Sequence, residues 1–326
     1  MIDAAALFSV PLVDLGERDA RFAGILTPAP ELAQRPTGIT AQFLENAEAY
    51  HQRFSNSAYF RLLIEQALAA TPLATRAPLI LDLGSGSGNS VWPCLELFAQ
   101  AQVVATDLSP NLLAILRDHA ASRGADAARL TTVCMDATRD YYAADRFDFA
   151  VGAAILHHLI DPVAALAAVH RALKPGGIAL FFEPFENGNA LLMLAYEDLI
   201  AEAATQPLRE DVLAFLKRMV HDFRVRSAIR PEQPGFAELD DKWIFTKRWF
   251  ERAAAACGYR ELIIEPLHDL DRPFANQTRA NLNMGLGLPP EALPDWAWAR
   301  IDRLDQAFSP DLRADLLIEG RVVLRK

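Results

Sequence analysis

Residues 81 to 89 read Leu-Asp-Leu-Gly-Ser-Gly-Ser-Gly-Asn. Gly84, Gly86 and Gly88 alternate with Ser85 and Ser87 at the end of a short apolar run. Glycines so spaced let a backbone turn tightly and approach a ligand closely, and a helix beginning there offers free N–H groups. A dinucleotide-binding loop would be G-x-G-x-x-G, but its sixth position is Asn89 in this chain. A tight strand-to-helix turn without a ligand is the plainer use of the same residues.

Two carboxylates follow at similar places downstream. Asp107 ends the apolar run 102–106, where a carboxylate can accept both hydroxyls of a ribose; a helix-cap role beside Ser109 is the alternative. Asp136 follows the run 130–134 and could accept from an adenine amino group, or stand as a solvated loop residue. After the run 147–152 come Ala153-Ala154-Ile155-Leu156-His157-His158. Histidine titrates near neutrality, so His157 or His158 could act as a general base; a hydrogen-bonded structural histidine is the competing reading. Glu183, after the run 178–182, is a third candidate base by position.

These residues need a scaffold that brings successive loops to one edge. The runs at 79–83, 102–106, 130–134, 147–152 and 178–182 are short and apolar along their whole length, as strands buried on both faces are. Helical stretches separate them: 91–99, a stripe of Leu112, Leu113, Leu116 and Ala120 after Ser109-Pro110, and a stripe of Val163, Leu166, Val169 and Leu173 after Asp161-Pro162. Lys174-Pro175-Gly176-Gly177 stops the last of these. Strand and helix alternating in this way predict a doubly wound α/β sheet, whose ligands lie at the carboxyl ends of the strands.

Residues 81–88, Asp107, Asp136, residues 147–159 and residues 173–177 resemble, in order and spacing, the class I S-adenosylmethionine (SAM)-dependent methyltransferases. The resemblance covers about residues 79–183, with a weaker echo at 246–265 and 320–325. It implies a seven-stranded, mostly parallel sheet whose last strand is antiparallel and inserted between the fifth and sixth. It further implies that Gly84, Ser85, Gly86 and Gly88 border the methionine moiety and that Asp82 lies beneath its amino group. Asp107 with Leu108 would take the ribose, Asp136 with Ala137 the adenine, and Ala153 would border the same ligand. The implied cofactor is SAM, its product S-adenosylhomocysteine, and the implied reaction an in-line SN2 methyl transfer.

Two segments depart from the minimal pattern, 184–240 and 267–315, and are expected to form a substrate lid over a domain spanning 77–326. Residues 1–76 read as an N-terminal helical cap without a strand pattern, residues 41–60 covering the strand ends from the other side. Phe185, Asn187, Tyr196, Phe236 and Trp243 are placed to line an acceptor pocket; packing of the lid or a homodimer contact is the other use open to them.

Composition narrows the acceptor. The 326 residues carry 42 acidic and 32 basic side chains, a net charge of -10, which repels phosphate backbones and argues against nucleic acid. The chain also lacks the Asn-Pro-Pro-aromatic run that resembling families use on DNA amines or glutamine amides. A small-molecule acceptor is therefore expected. Cys94, Cys134 and Cys257 make no CxxC pair and no disulfide framework. No metal site is expected, because no carboxylate or cysteine completes the adjacent His157-His158 pair at ligand spacing. No apolar stretch approaches the ~18 residues of a membrane span, and the N-terminus lacks a basic leader, so the cytoplasm is the expected location. Two other functions share these features: a SAM-binding scaffold without turnover, and a nicotinamide-dependent oxidoreductase, disfavoured by Asn89.

Overall fold

The computed structural model describes residues 3–34, 39, 41–267 and 269–326. Nine strands form one sheet: β1 (Leu12–Asp14), β2 (Leu26–Pro28), β3 (Leu79–Leu83), β4 (Gln102–Asp107), β5 (Leu130–Cys134), β6 (Phe147–Ala153), β7 (Leu173–Pro184), β8 (Glu261–Pro266) and β9 (Glu319–Arg325). Their order is β1-β2-β5-β4-β3-β6-β7-β9-β8. Strands β2, β5, β4, β3, β6 and β7 run parallel, while β9 is antiparallel to both β7 and β8. The inserted antiparallel last strand is thus where the resemblance puts it.

The strand count differs from the expected seven, and residues 1–76 are not strand-free. Strands β1 and β2 have three residues each and pair as a small hairpin that extends the sheet beside β5. Three residues are too few to display a period of two, so the pairing partner, not the local sequence, makes them strands.

Helices α1 (Ala41–Leu44), α2 (Ala47–Phe54) and α3 (Ser57–Ala70) precede β3, and α4 (Val91–Leu97) and α5 (Pro110–Ser122) follow β3 and β4. Helix α5 starts as its sequence dictates: the Ser109 hydroxyl accepts from Leu112 N at 3.2 Å, with Pro110 in the first turn. Helix α6 (Pro162–Ala172) is capped the same way by Asp161 on Ala164 N at 2.9 Å. Successive strand residues point to opposite faces. Ile80, Val103 and Phe149 pack in one apolar layer with helices α3, α4 and α5; Leu81, Val104 and Ala150 pack in the other with α6 and α9 (Lys247–Cys257). Both faces of the central strands are covered, which is why their sequences are apolar throughout.

The insertions build a separate helical layer. Helices α7 (Glu186–Glu202), α8 (Glu210–Ala228), α10 (Pro273–Leu286) and α11 (Asp295–Gln306) share a third core around Leu192, Phe215, Phe274 and Ile301, and α12 (Pro310–Asp315) leads into β9. Helix α10, in a Pro- and Asn-rich stretch that does not read as helical, owes its start to a distant residue. Asp305 of α11 accepts from Phe274 N at 2.8 Å and Ala275 N at 3.0 Å, satisfying donors the helix cannot pair itself.

Candidate active site

A cleft open to solvent lies at the carboxyl ends of β3, β4, β5 and β6. Its wall carries Gly84, Ser85, Gly86, Asp107, Leu108, Asp136, Ala137, Ala153 and His158 from the sequence reading. Asp82, Gly88, His157 and Glu183 lie outside that wall.

The glycine loop has all three glycines at positive φ: +60° for Gly84, +51° for Gly86 and +109° for Gly88. They differ in what surrounds them. A Cβ on Gly88 would stand 2.6 Å from the Trp92 indole nitrogen and 2.8 Å from Leu116, whereas one on Gly86 would meet nothing within 4 Å and project into open space. Gly88 therefore serves packing, and Gly86 leaves room.

Asp107 ties two strands together. One carboxylate oxygen accepts from Gly86 N at 2.8 Å, the other from Ser109 N at 2.7 Å. Burial pushes its pKa up to about 6, against these backbone donors, which lower it. Asp136 accepts from the N–H and hydroxyl of Thr138 at 2.8 and 2.7 Å. Both acids are held in place by backbone donors and still border the cavity.

Asp82 is fully buried beneath the loop, and neither of its oxygens has a well-placed hydrogen-bond partner; the Ser85 and Ser90 hydroxyls are likewise unpaired. Burial raises its pKa to about 8, with the nearby Ser90 hydroxyl opposing the shift. An orphaned carboxylate behind a loop that leaves open space at Gly86 suits a cationic ligand group above it. The opposite wall includes Ala154, a non-glycine residue at φ +61°, a strained conformation of the kind found at ligand sites.

The N-terminal helices close the cavity, through contacts that no local pattern signals. His51 of α2 shares a 2.7 Å hydrogen bond with the Ser87 hydroxyl of the glycine loop. Asn89, the residue that departs from the dinucleotide motif, accepts from Asn56 N at 2.8 Å and donates to Phe54 O at 3.0 Å. Ser109 donates to Phe43 O at 2.6 Å. Phe43, Tyr50 and Phe54 consequently line the cavity as an aromatic run, with ring centroids 5.0 and 4.8 Å apart. Burial, with Asp107 adding to it, raises the Tyr50 phenol to about 12, so it is neutral at physiological pH.

The aromatics expected from the first insertion are elsewhere. Phe185, Tyr196 and Phe236 are buried in packing, Trp243 packs against Phe236, Phe245 and Trp249, and Asn187 is exposed; none borders the cavity. Phe185 and Trp243 pack with the core of the sheet domain and Tyr196 with the core of the helical layer, because apolar area is worth more in a closed core than on a wet wall.

At the far end of the wall the His158 ring packs edge-on against Phe43, 5.4 Å between centroids. Its Nδ1 lies 2.8 Å from the Asp240 carbonyl oxygen. His157 points away and gives Nδ1 to Glu183 at 2.7 Å. Glu183 also accepts the backbone N–H groups of Ile155, Leu156 and His157 at 3.1, 2.8 and 3.2 Å, which fixes the turn after β6. Burial alone would lower the His157 pKa, but Glu183 outweighs it and holds it above its ordinary value. Burial and the neighbouring His157 push His158 well below its own. Asp241, just after the first insertion, supplies a carboxylate beside both rings, one that spacing along the chain does not reveal.

Residues 80–177 match the family profile described as "Methyltransferase domain". Over 109 residues the chain is 32% identical to a ubiquinone biosynthesis O-methyltransferase of Cereibacter sphaeroides, covering 33% of this chain and 42% of that protein. Over 119 residues it is 32% identical to a ubiquinone/menaquinone biosynthesis C-methyltransferase of Cellvibrio japonicus, covering 36% and 47%. The chain thus spans less than half the length of these curated relatives. Among solved structures it is similar in fold to Haemonchus contortus phosphoethanolamine N-methyltransferase 2 in complex with SAM. That similarity has a TM-score of 0.51 at 18% identity and covers 87% of this chain and 58% of the other.

Proposed function

We propose that the chain, whose residues 80–177 match the methyltransferase-domain profile, is a class I SAM-dependent methyltransferase that transfers a methyl group to a small-molecule acceptor. The observation that carries this reading is the single cavity wall shared by Gly86, Asp107 and Asp136, three strand-end groups spread over 50 residues of sequence that suit the three parts of a nucleoside–amino acid ligand. When bound, SAM supplies a methyl group activated by a sulfonium charge. The chain's own contribution is alignment and exclusion of water. Gly86 leaves room for close approach, Asp107 accepts ribose hydroxyls, Asp136 and Ala137 border the base, and Asp82, protonated while the site is empty, offers a carboxyl group that a cationic amino group above it would ionise.

The acceptor enters between α2 and the His158 wall. Phe43, Tyr50 and Phe54 give that end an apolar, flat lining, which favours a small apolar or aromatic acceptor over a polyanion. The net charge of -10 disfavours nucleic acid in the same sense. His158 is the polar side chain that faces an acceptor heteroatom, and His157 and Glu183 position it by fixing the turn that carries it. No helix among the described residues is long and apolar enough to cross a membrane, and we place the protein in the cytoplasm, as a monomer or homodimer.

Calorimetric titration of the full chain with SAM, S-adenosylhomocysteine and NAD tests the reading. Binding of both adenosyl ligands and not NAD supports it, and a screen of small hydroxylated and amine metabolites for methyl uptake then identifies the acceptor. Absence of adenosyl binding overturns it.

A further inference from the structure

We propose that His157, His158 and Asp241 form a binding site for one divalent transition-metal ion at the acceptor end of the cavity. The three side chains offer ligand atoms that all lie within 4.8 Å of one another. The Asp241 carboxylate oxygen is 3.6 Å from His157 Nε2 and 3.4 Å from His158 Nδ1. Ligands at about 2.0–2.1 Å from a tetrahedral metal stand about 3.4 Å apart, so the separations of Asp241 from the two rings suit a shared ion, and the third pair, within 4.8 Å, closes on binding.

The protonation pattern points the same way. His157 gives its Nδ1–H to Glu183, a carboxylate already fixed by three backbone N–H groups, so Nε2, the nitrogen beside Asp241, is the one left to bind an ion in exchange for any proton it carries. A carboxylate on the far nitrogen of a metal-binding imidazole is also the usual outer support of such a ligand, fixing its tautomer and raising its basicity. His158 Nδ1 faces two oxygens, Asp240 O at 2.8 Å and Asp241 at 3.4 Å. In the empty site Nδ1–H donates to Asp240 O; an ion takes Nδ1 together with Asp241 only as that proton leaves.

The charges around the rings allow it. Glu183, Asp240, Asp241 and Glu319 act on this cluster, against Arg226 and Lys242. Arg226 contacts the other Asp241 oxygen at 3.5 Å, leaving the first for the ion. Two imidazoles and one carboxylate select a borderline ion such as zinc or cobalt(II) over magnesium or calcium, which take all-oxygen shells. Because His158 lines the cavity, a fourth ligand arrives from the acceptor side. On the methyl-transfer reading, that ligand is the acceptor's own oxygen or nitrogen.

The test is titration of the chelator-treated full chain with cobalt(II), read by visible absorption, with S-adenosylhomocysteine titrated in the same preparation. One saturable equivalent with tetrahedral or five-coordinate bands is expected. Asp241→Asn should weaken cobalt binding at least ~10-fold while leaving S-adenosylhomocysteine affinity within ~2-fold, and His170→Asn, remote from the cluster, should change neither. X-ray absorption of the loaded wild type should show two imidazole ligands, a readout that needs no variant to fold. No saturable binding, binding insensitive to Asp241→Asn, or a shell with fewer than two imidazoles overturns the proposal. Adenosyl binding without cobalt binding removes this inference alone; cobalt binding without adenosyl binding removes the methyl-transfer reading instead.

Discussion

Asp107 and Gly86 are joined by a 2.8 Å hydrogen bond from the glycine N–H to the carboxylate, so the end of β4 holds the loop that follows β3. The same carboxylate borders the cavity. It therefore shapes the loop and faces the ligand at once, and its loss is felt by both.

Asp107→Ala should lower SAM affinity by about 1.5–3 kcal/mol, roughly 10- to 150-fold, through lost charge-assisted hydrogen bonds. Asp107→Asn keeps one acceptor and should lose less. Calorimetry on folded variants checks both; unchanged affinity in Asp107→Ala would remove the ribose assignment.

Gly86→Ala and Gly88→Ala should separate binding from stability. Each forces alanine into positive φ, a cost of about 1–2 kcal/mol. At Gly88 the added methyl also meets Trp92 and Leu116, and overpacking costs about 1–3 kcal/mol more. At Gly86 the methyl enters open space, so the larger effect should be on SAM affinity. Denaturant unfolding and ligand titration of the two variants should rank them in opposite orders.

Asp82→Asn should stabilise the ligand-free protein above neutrality. Burial raises the folded pKa from 3.8 to about 8, so the folded state keeps a proton that the unfolded state gives up. The unfolded state binds fewer protons between these values, and stability falls as pH rises through that window. A neutral isostere removes this slope. Melting temperature measured from pH 4 to pH 9 should flatten in the variant; an unchanged pH dependence would show that Asp82 is ionised in the fold.

His51→Phe should loosen the cavity cover. The residue links α2 to Ser87, and its pKa is lowered by burial and by His119. A histidine with a depressed folded pKa stabilises above its ordinary value of 6.5 and loses that contribution as pH falls. Hydrogen exchange of α2 in the wild type should speed up as pH drops below 6.5, beyond the intrinsic pH dependence of exchange. In His51→Phe it should be faster at neutrality and free of that step.

The central sheet was legible because each strand is apolar along its length and each is followed by a helix with its own cap, as at Ser109-Pro110 and Asp161-Pro162. The strand-end groups were legible for a related reason: in a parallel sheet all carboxyl ends face one edge, so Gly86, Asp107 and Asp136 must meet there. The hairpin of β1 and β2 was not, because six residues carry no period and their pairing comes from β5. Helix α10 was hidden because its N-terminal donors are satisfied by Asp305, some 30 residues away.

The sequence by itself determined the doubly wound core, the glycine loop and the acids beside it, since local periodicity and strand polarity suffice to place them. Only the tertiary structure decided what surrounds the acceptor. It turned Phe185, Tyr196 and Phe236 into packing, made Phe43, Tyr50 and Phe54 the apolar lining of the cover expected from residues 41–60, and set Asp241 against His157 and His158. Those outcomes rest on contacts between segments 30 to more than 100 residues apart, whose strength depends on the apolar area and hydrogen bonds closed in three dimensions, and no pattern along the chain encodes which partner is met.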